Sequence, residues 1–336
     1  MREKPVVLNS TRDVTITPYP VKKTGTFTFL IAPGGGYDTC EESESAPVAK
    51  YYNKLGYNAF VFRYSVGQNK DWPHPLEDFD LAMEWLQTHA QEYRVDPTRI
   101  VAIGFSAGGH VIAAAASRAV RKPFAAILCY GLIDRETLAY CNPSAPDASE
   151  LVNADTCPCF LASSRNDWIV PITNTTKLMA AFEKNYIDYE AHIYGYAMHG
   201  FSIGKAQHGN NPVFCSRVGN WVEDSLSWLR ELSDGRYISV RESAAYQDAH
   251  TETLSVLTSC RLLEQNREAL SMLKKRFPAQ YLIYALARKK IGAFMDTVSL
   301  KNLFTLMRVK PGTITKIDET LRQYPTPGGE NENLRN

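Results

Sequence analysis

No run within the 336 residues approaches the roughly 18 consecutive apolar side chains that a membrane span requires. The opening Met1-Arg-Glu-Lys-Pro5 also lacks the apolar core of a secretory leader. Both absences lead to the expectation of a soluble, cytoplasmic protein. An excess of one charge is missing too: 37 Lys/Arg balance 36 Asp/Glu, for a formal charge of +1. That excludes a chain-wide nucleic-acid or membrane-surface role. Cysteine is scarce, with seven residues (40, 129, 141, 157, 159, 215 and 260) scattered in an odd number, the pattern of reduced thiols rather than of a disulfide framework. Cys157-x-Cys159 has neither zinc-ligand nor redox spacing. Nucleotide signatures are absent as well. No Gly-Lys-Ser/Thr follows the glycines at 34–36, and no G-x-G-x-x-G opens a helix. No metal and no organic cofactor is expected.

What is present is an alternation of strand and helix. Apolar, β-branched runs predict strands over 13–20, 24–32, 57–66, 99–106, 124–133, 157–163 and 189–194. Periodic segments between and after them predict helices over 46–55, 76–94, 107–120, 174–186 and 218–232. This rhythm implies parallel β-α-β units with right-handed crossovers, hence an α/β fold with a mostly parallel central sheet and helices on both faces. After Gly235 the pattern becomes helical alone, over 242–265, 267–276, 281–294, 300–307 and 315–324. The expected division is therefore 1–235 as the main domain, 236–327 as a small all-helical module, and 328–336 as a disordered tail. The module and tail carry 16 Lys/Arg against 10 Asp/Glu, leaving 21 against 26 for the body. The basic triplets at 274–276 and 288–290 are read as solvated helix faces.

The chain is organised around Arg99-Ile-Val-Ala-Ile-Gly-Phe-Ser-Ala-Gly-Gly-His110, where a strand stops at Gly104 and an Ala-rich helix follows Ser106. Gly104 and Gly108 flank Ser106 where a strand turning directly into a helix leaves no room for a Cβ, the form of a nucleophile elbow. Four features fall just beyond predicted strand ends, where α/β sheets gather their active groups: Pro33-Gly-Gly-Gly-Tyr37, Ser106, Asp167 and His199. Acyl transfer needs a nucleophile, a base and a carboxylate that holds the imidazole in one tautomer, and Ser106, His199 and Asp167 supply them. His199 is preferred over His208, the reserve, because it lies in a loop directly after a strand; Asp167 is preferred over Asp155 and Asp188 on the same ground. The backbone N–H groups of Gly35, Gly36 and Ala107 are candidate oxyanion donors. Tyr37 and Trp168, adjacent in sequence to these groups, are candidate substrate-binding aromatics, with inward packing as the alternative for both. Residues 134–156 form the long irregular insertion and are the candidate lid or acyl-pocket wall, with Tyr140 and Leu151 as apolar contributors.

Pro-Gly-Gly-Gly-Tyr37, Gly-Phe-Ser-Ala-Gly-Gly-His110, Asn-Asp-Trp-Ile-Val-Pro171 and His199-Gly-Phe201 together resemble the α/β-hydrolase fold serine esterases, in their acetyl esterase and acetylxylan-esterase-like branch. Glu44-Ser-Ala-Pro-Val-Ala49 and Trp72-Pro-His-Pro-Leu-Glu-Asp78 extend the resemblance, which spans about residues 24–232. It implies the α/β-hydrolase fold, Ser106, Asp167 and His199 as triad, and Gly35, Gly36 and Ala107 as oxyanion hole. Pro33 stands where hormone-sensitive lipases carry His, which separates the chain from them. His110 is shared with the acetylxylan-esterase-like members, and its position on the helix after Ser106 is read as core packing or a core hydrogen bond, with a substrate role as the alternative. The 236–327 segment is similar to small C-terminal helical modules on some bacterial carbohydrate-active proteins. The implied activity is removal of acetyl or other short acyl groups from acetylated (xylo-)oligosaccharides. The expected partner is a small-molecule or oligosaccharide ester, with no nucleic acid and no membrane; homo-oligomerisation is left open. A serine peptidase of the same fold and a non-catalytic binding protein on the scaffold are the alternatives.

Overall fold

A computed structural model describes residues 4–22, 25–204 and 215–327. His208 and the 328–336 segment lie outside the described residues. The chain divides into two compact units, 1–237 and 238–336, each described by itself.

The first unit is built on an eight-stranded sheet of order β1-β2-β4-β3-β5-β6-β7-β8. These strands are β1 (Val6–Asn9), β2 (Val14–Tyr19), β3 (Thr28–Ala32), β4 (Asn58–Arg63), β5 (Ile100–Phe105), β6 (Ala125–Cys129), β7 (Cys159–Ser164) and β8 (Tyr189–Tyr194). From β4 across to β8 every neighbouring pair is parallel, whereas β1 and β2 join the edge antiparallel. β1 pairs outside the expected 13–20 strand and is an additional edge strand; four residues with only partial burial leave too short a pattern to announce it. The expected 76–94 helix begins instead at His74, with prolines at the start, and breaks at His89.

The helices are α1 (Ala46–Lys54), α2 (His74–Thr88), α3 (Ala90–Tyr93), α4 (Ser106–Arg118), the short α5 (Arg135–Leu138) and α6 (Ala148–Leu151), α7 (Thr173–Asn185) and α8 (Trp221–Ser233). Because side chains alternate across a strand, successive residues of β3 feed two different cores. Leu30 packs with Phe60, Ala102 and Leu128 under α2, α4 and α7. Phe29 and Ile31 pack with Val101, Ile103 and Ile127 under α1 and α8, where Trp221 and Trp228 fill the space. Burial on both faces is why the central strands read as unbroken apolar runs.

The second unit consists of α9 (Ala244–His250), α10 (Cys260–Gln265), α11 (Arg267–Arg276), α12 (Pro278–Ile291), α13 (Leu300–Leu306) and α14 (Pro311–Leu321) around Leu263, Leu273, Phe304 and Ile317. The expected 242–265 helix is two helices. Between them the Leu254 N–H donates to the Tyr324 carbonyl. No helix among the described residues is long and apolar enough to cross a membrane.

Candidate active site

Strand β5 ends at Phe105, and Ser106, the first residue of α4, takes a left-handed backbone (φ +50°). A non-glycine residue in that region costs about 1–3 kcal/mol. The surrounding close packing holds it there: a Cβ at Gly104 would lie 2.4 Å from the Gly108 carbonyl oxygen, and one at Gly108 would lie 2.2 Å from that of Ala32. Strand β3, strand β5 and helix α4 therefore approach more closely than any side chain permits, and the Ser106 hydroxyl is carried out beyond the sheet.

Asp167 follows β7 and His199 follows β8, so both loops rise beside Ser106. His199 Nε2 lies 2.8 Å from Ser106 Oγ, and His199 Nδ1 lies 2.7 Å from Asp167 Oδ2. The other carboxylate oxygen, Oδ1, accepts the backbone N–H groups of Ile169 (3.0 Å) and Val170 (2.9 Å). A backbone N–H only donates, so Oδ2 remains for the imidazole, Nδ1 carries the proton, and Nε2 is free to accept from Ser106. The histidine loop is clamped to the aspartate loop by the Ala197 N–H, which donates to Ser164 Oγ and Asn166 Oδ1. The His199 side chain is 13% exposed.

A cleft of about 500 Å³ opens over these groups. Gly35, Gly36, Ser106 and His199 line it, with Leu132, Tyr140, Ile169 and Val170 as apolar walls and Glu41 and Glu44 as carboxylates. Gly35 (φ +119°) and Gly36 (φ +62°) form a turn in which the Gly35 carbonyl accepts from Asp38 and Thr39. Ala107 lies in the first turn of α4, where amides have no acceptor within the helix.

Tyr37 does not meet the cleft. It is fully buried, and its hydroxyl lies 2.5 Å from His110 Nδ1, so the substrate-binding role expected of it is corrected to inward packing. His110 is itself fully buried and lies 2.8 Å from the Pro146 carbonyl through Nε2. Nε2 therefore donates and Nδ1 accepts from Tyr37; burial depresses its pKa to about 4. Trp168 stands 71% exposed beside the cleft-lining Ile169. The 134–156 insertion is tied to the rest of its unit by polar contacts. His110 holds Pro146, Asn142 Nδ2 donates to the Lys70 carbonyl, Lys177 pairs with the buried Asp147, and Asn174 Oδ1 accepts from Ile133 and Asp134. Tyr140 contributes to the cleft, and Leu151 is not among its lining residues.

Sequence reasoning missed Glu44 and Tyr130. Glu44 is buried beside Ser106, where desolvation raises its carboxyl pKa against the opposing pull of hydrogen bonds from Tyr130 and Gly34. The signal available was a charged residue directly ahead of a helix, inside the resembling stretch at 44–49.

The BD-FAE family model matches residues 17–136. A solved α/β-hydrolase enzyme, MGS-M1 from a Medee basin deep-sea metagenome library, is 31% identical over 69% of this chain and 97% of its own, with a TM-score of 0.63. The chain belongs to the α/β-hydrolase family. An acetylxylan esterase of Xylanibacter ruminicola is 25% identical over 64% of this chain and 51% of its own length. The endo-1,4-beta-xylanase B of Butyrivibrio fibrisolvens is 27% identical over 52% of this chain and 32% of its own. The chain spans between 18% and 51% of the length of the curated relatives it matches.

Proposed function

We propose that the protein is a serine carboxylesterase that removes acetyl or similarly short acyl groups from neutral acetylated sugars, xylo-oligosaccharides among them, through an acyl-enzyme. The observation that carries this reading is the hydrogen-bonded series Ser106–His199–Asp167 at 2.8 and 2.7 Å, opening into a cleft flanked by Gly35 and Gly36. Ser106 Oγ attacks the acyl carbon while its proton passes to His199 Nε2. Asp167 Oδ2 accepts the Nδ1–H and stabilises the imidazolium. The backbone N–H groups of Gly35, Gly36 and Ala107 receive the oxyanion, a contribution on the order of 3 kcal/mol per donor. His199 then protonates the leaving alcohol, and the same groups run the second half with water as nucleophile.

The substrate class is supported by the walls. Among the described residues, those lining the cleft include Glu41 and Glu44 and no Lys or Arg, which disfavours anionic esters. Similarity to an acetylxylan esterase favours acetate on sugar. The test is acetate release by the full chain from acetylated xylo-oligosaccharides, acetylated monosaccharides and triacylglycerols, beside hydrolysis of p-nitrophenyl esters of increasing length. Acetylated sugars are expected to lead, and a folded Ser106→Ala variant is expected to lose several orders of magnitude of rate. Release from aryl esters alone would remove the carbohydrate reading; an active Ser106→Ala variant would remove the serine mechanism.

A further inference from the structure

Outside the Ser106–His199–Asp167 series, one more carboxylate is buried against the same cleft. Glu44 is 3% exposed and ends the 3-10 turn Glu42–Glu44 ahead of α1. Each of its oxygens serves a different part of the site. Oε2 accepts the Gly34 N–H at 2.7 Å, and Oε1 accepts the Tyr130 O–H at 2.7 Å. Tyr130 Oη in turn accepts the Ser202 N–H at 2.9 Å, three residues beyond His199, and its ring stands edge-on to the imidazole with centroids 5.0 Å apart. The polarity of this chain is determined by its ends. Ser202 and Gly34 offer backbone N–H groups that only donate, so Tyr130 directs its own proton to Glu44. A protonated Glu44 would need an acceptor for its proton, yet both neighbours are donors. There is no slack in the loop either: a Cβ at Gly34 would lie 2.7 Å from Ser106 Cβ and 2.8 Å from Glu44 Oε2.

We propose that Glu44 is a positioning residue: as a carboxylate accepting from Gly34 and Tyr130, it holds the glycine loop and the histidine loop in register over Ser106, and thereby raises kcat rather than substrate affinity. The inference rests on the serine-esterase reading above. Its physical basis is that displacement of a reacting group by about 1 Å costs about a hundredfold in rate, and Glu44 is the atom bridge between the two loops that flank the nucleophile.

The test compares wild type, Ser106→Ala, Glu44→Gln, Tyr130→Phe and the Glu44→Gln/Tyr130→Phe double variant on p-nitrophenyl acetate, with active sites counted by stoichiometric phosphonate labelling. Glu44→Gln keeps the shape but must turn an NH₂ toward one of two donors. The expected result is a kcat per active site lowered about tenfold to a hundredfold with KM within about threefold, and a double variant no slower than Glu44→Gln alone, since both changes sever one chain. A structural role without positioning would lower the melting temperature and leave kcat per site intact. A folded Glu44→Gln variant with wild-type kcat, or a loss confined to KM, overturns the proposal while an inactive Ser106→Ala leaves the esterase reading standing. Should Glu44→Gln fail to fold, Tyr130→Phe decides: unchanged kcat overturns the proposal. An active Ser106→Ala variant removes the esterase reading and this inference with it.

Discussion

Replacing Asp167 by Asn tests the tautomer argument with almost no change of shape. In the wild type, Oδ1 accepts from the Ile169 and Val170 N–H groups, and Oδ2 accepts from His199 Nδ1. An Asn must present its carbonyl oxygen to the two backbone donors, because its NH₂ cannot accept from them. The NH₂ is then turned toward His199 Nδ1, which is forced to become the acceptor. Its proton moves to Nε2, and Ser106 Oγ, 2.8 Å away, faces a donor where a base is required. The expected loss in kcat is on the order of 10⁴-fold, or about 5 kcal/mol at 1.36 kcal/mol per decade. Folding changes little by comparison, since the two backbone hydrogen bonds are kept and each is worth about 1 kcal/mol net. The assay is kcat on p-nitrophenyl acetate at pH 7–9, alongside thermal unfolding. A folded Asp167→Asn enzyme within about tenfold of wild type would refute the reasoning, because it would mean that His199 reaches the productive tautomer without the carboxylate.

Two further outcomes concern stability. His110 is buried with a pKa depressed from 6.5 to about 4, so its unfolded form binds a proton at a pH where the folded form does not. Its contribution is complete above pH 6.5 and is lost as pH falls toward 4, amounting to about 3 kcal/mol. The difference in urea-unfolding free energy between wild type and His110→Gln should therefore shrink by that order across this window; a constant difference would contradict the assignment. At the elbow, Gly108→Ala places a Cβ 2.2 Å from the Ala32 oxygen and 2.4 Å from the Pro33 oxygen, backbone atoms that cannot swing away. It should destabilise by at least about 3 kcal/mol or prevent folding, whereas Gly195→Ala, with nothing within 4 Å of the added carbon, should change the melting temperature by no more than a few degrees. Equal melting temperatures for the two variants would contradict the packing argument.

Much of the sheet and the elbow was legible in the residues themselves. Strands buried on both faces must be apolar throughout, so the runs at 100–105 and 125–129 announced themselves. Glycines flanking Ser106 marked a turn too tight for side chains. Sequence order placed Ser106, Asp167 and His199 just beyond strand ends, and parallel topology converts such positions into neighbours. What sequence by itself could not determine depends on distance between remote residues. Whether Tyr37 faced the cleft or the core was decided by His110, 73 residues away, whose Nδ1 takes the Tyr37 hydroxyl. Where the 134–156 insertion is anchored was decided by polar partners from Lys70, His110, Asn174 and Lys177. The short β1 strand existed only through pairing with β2. Glu44 became part of the site through Gly34 on one side and Tyr130 on the other, 86 residues along the chain. Local periodicity records which face of an element is buried. The identity of the partner across that face is a property of three-dimensional proximity, and hydrogen-bond polarity can be worked out only once both ends of each bond are in place.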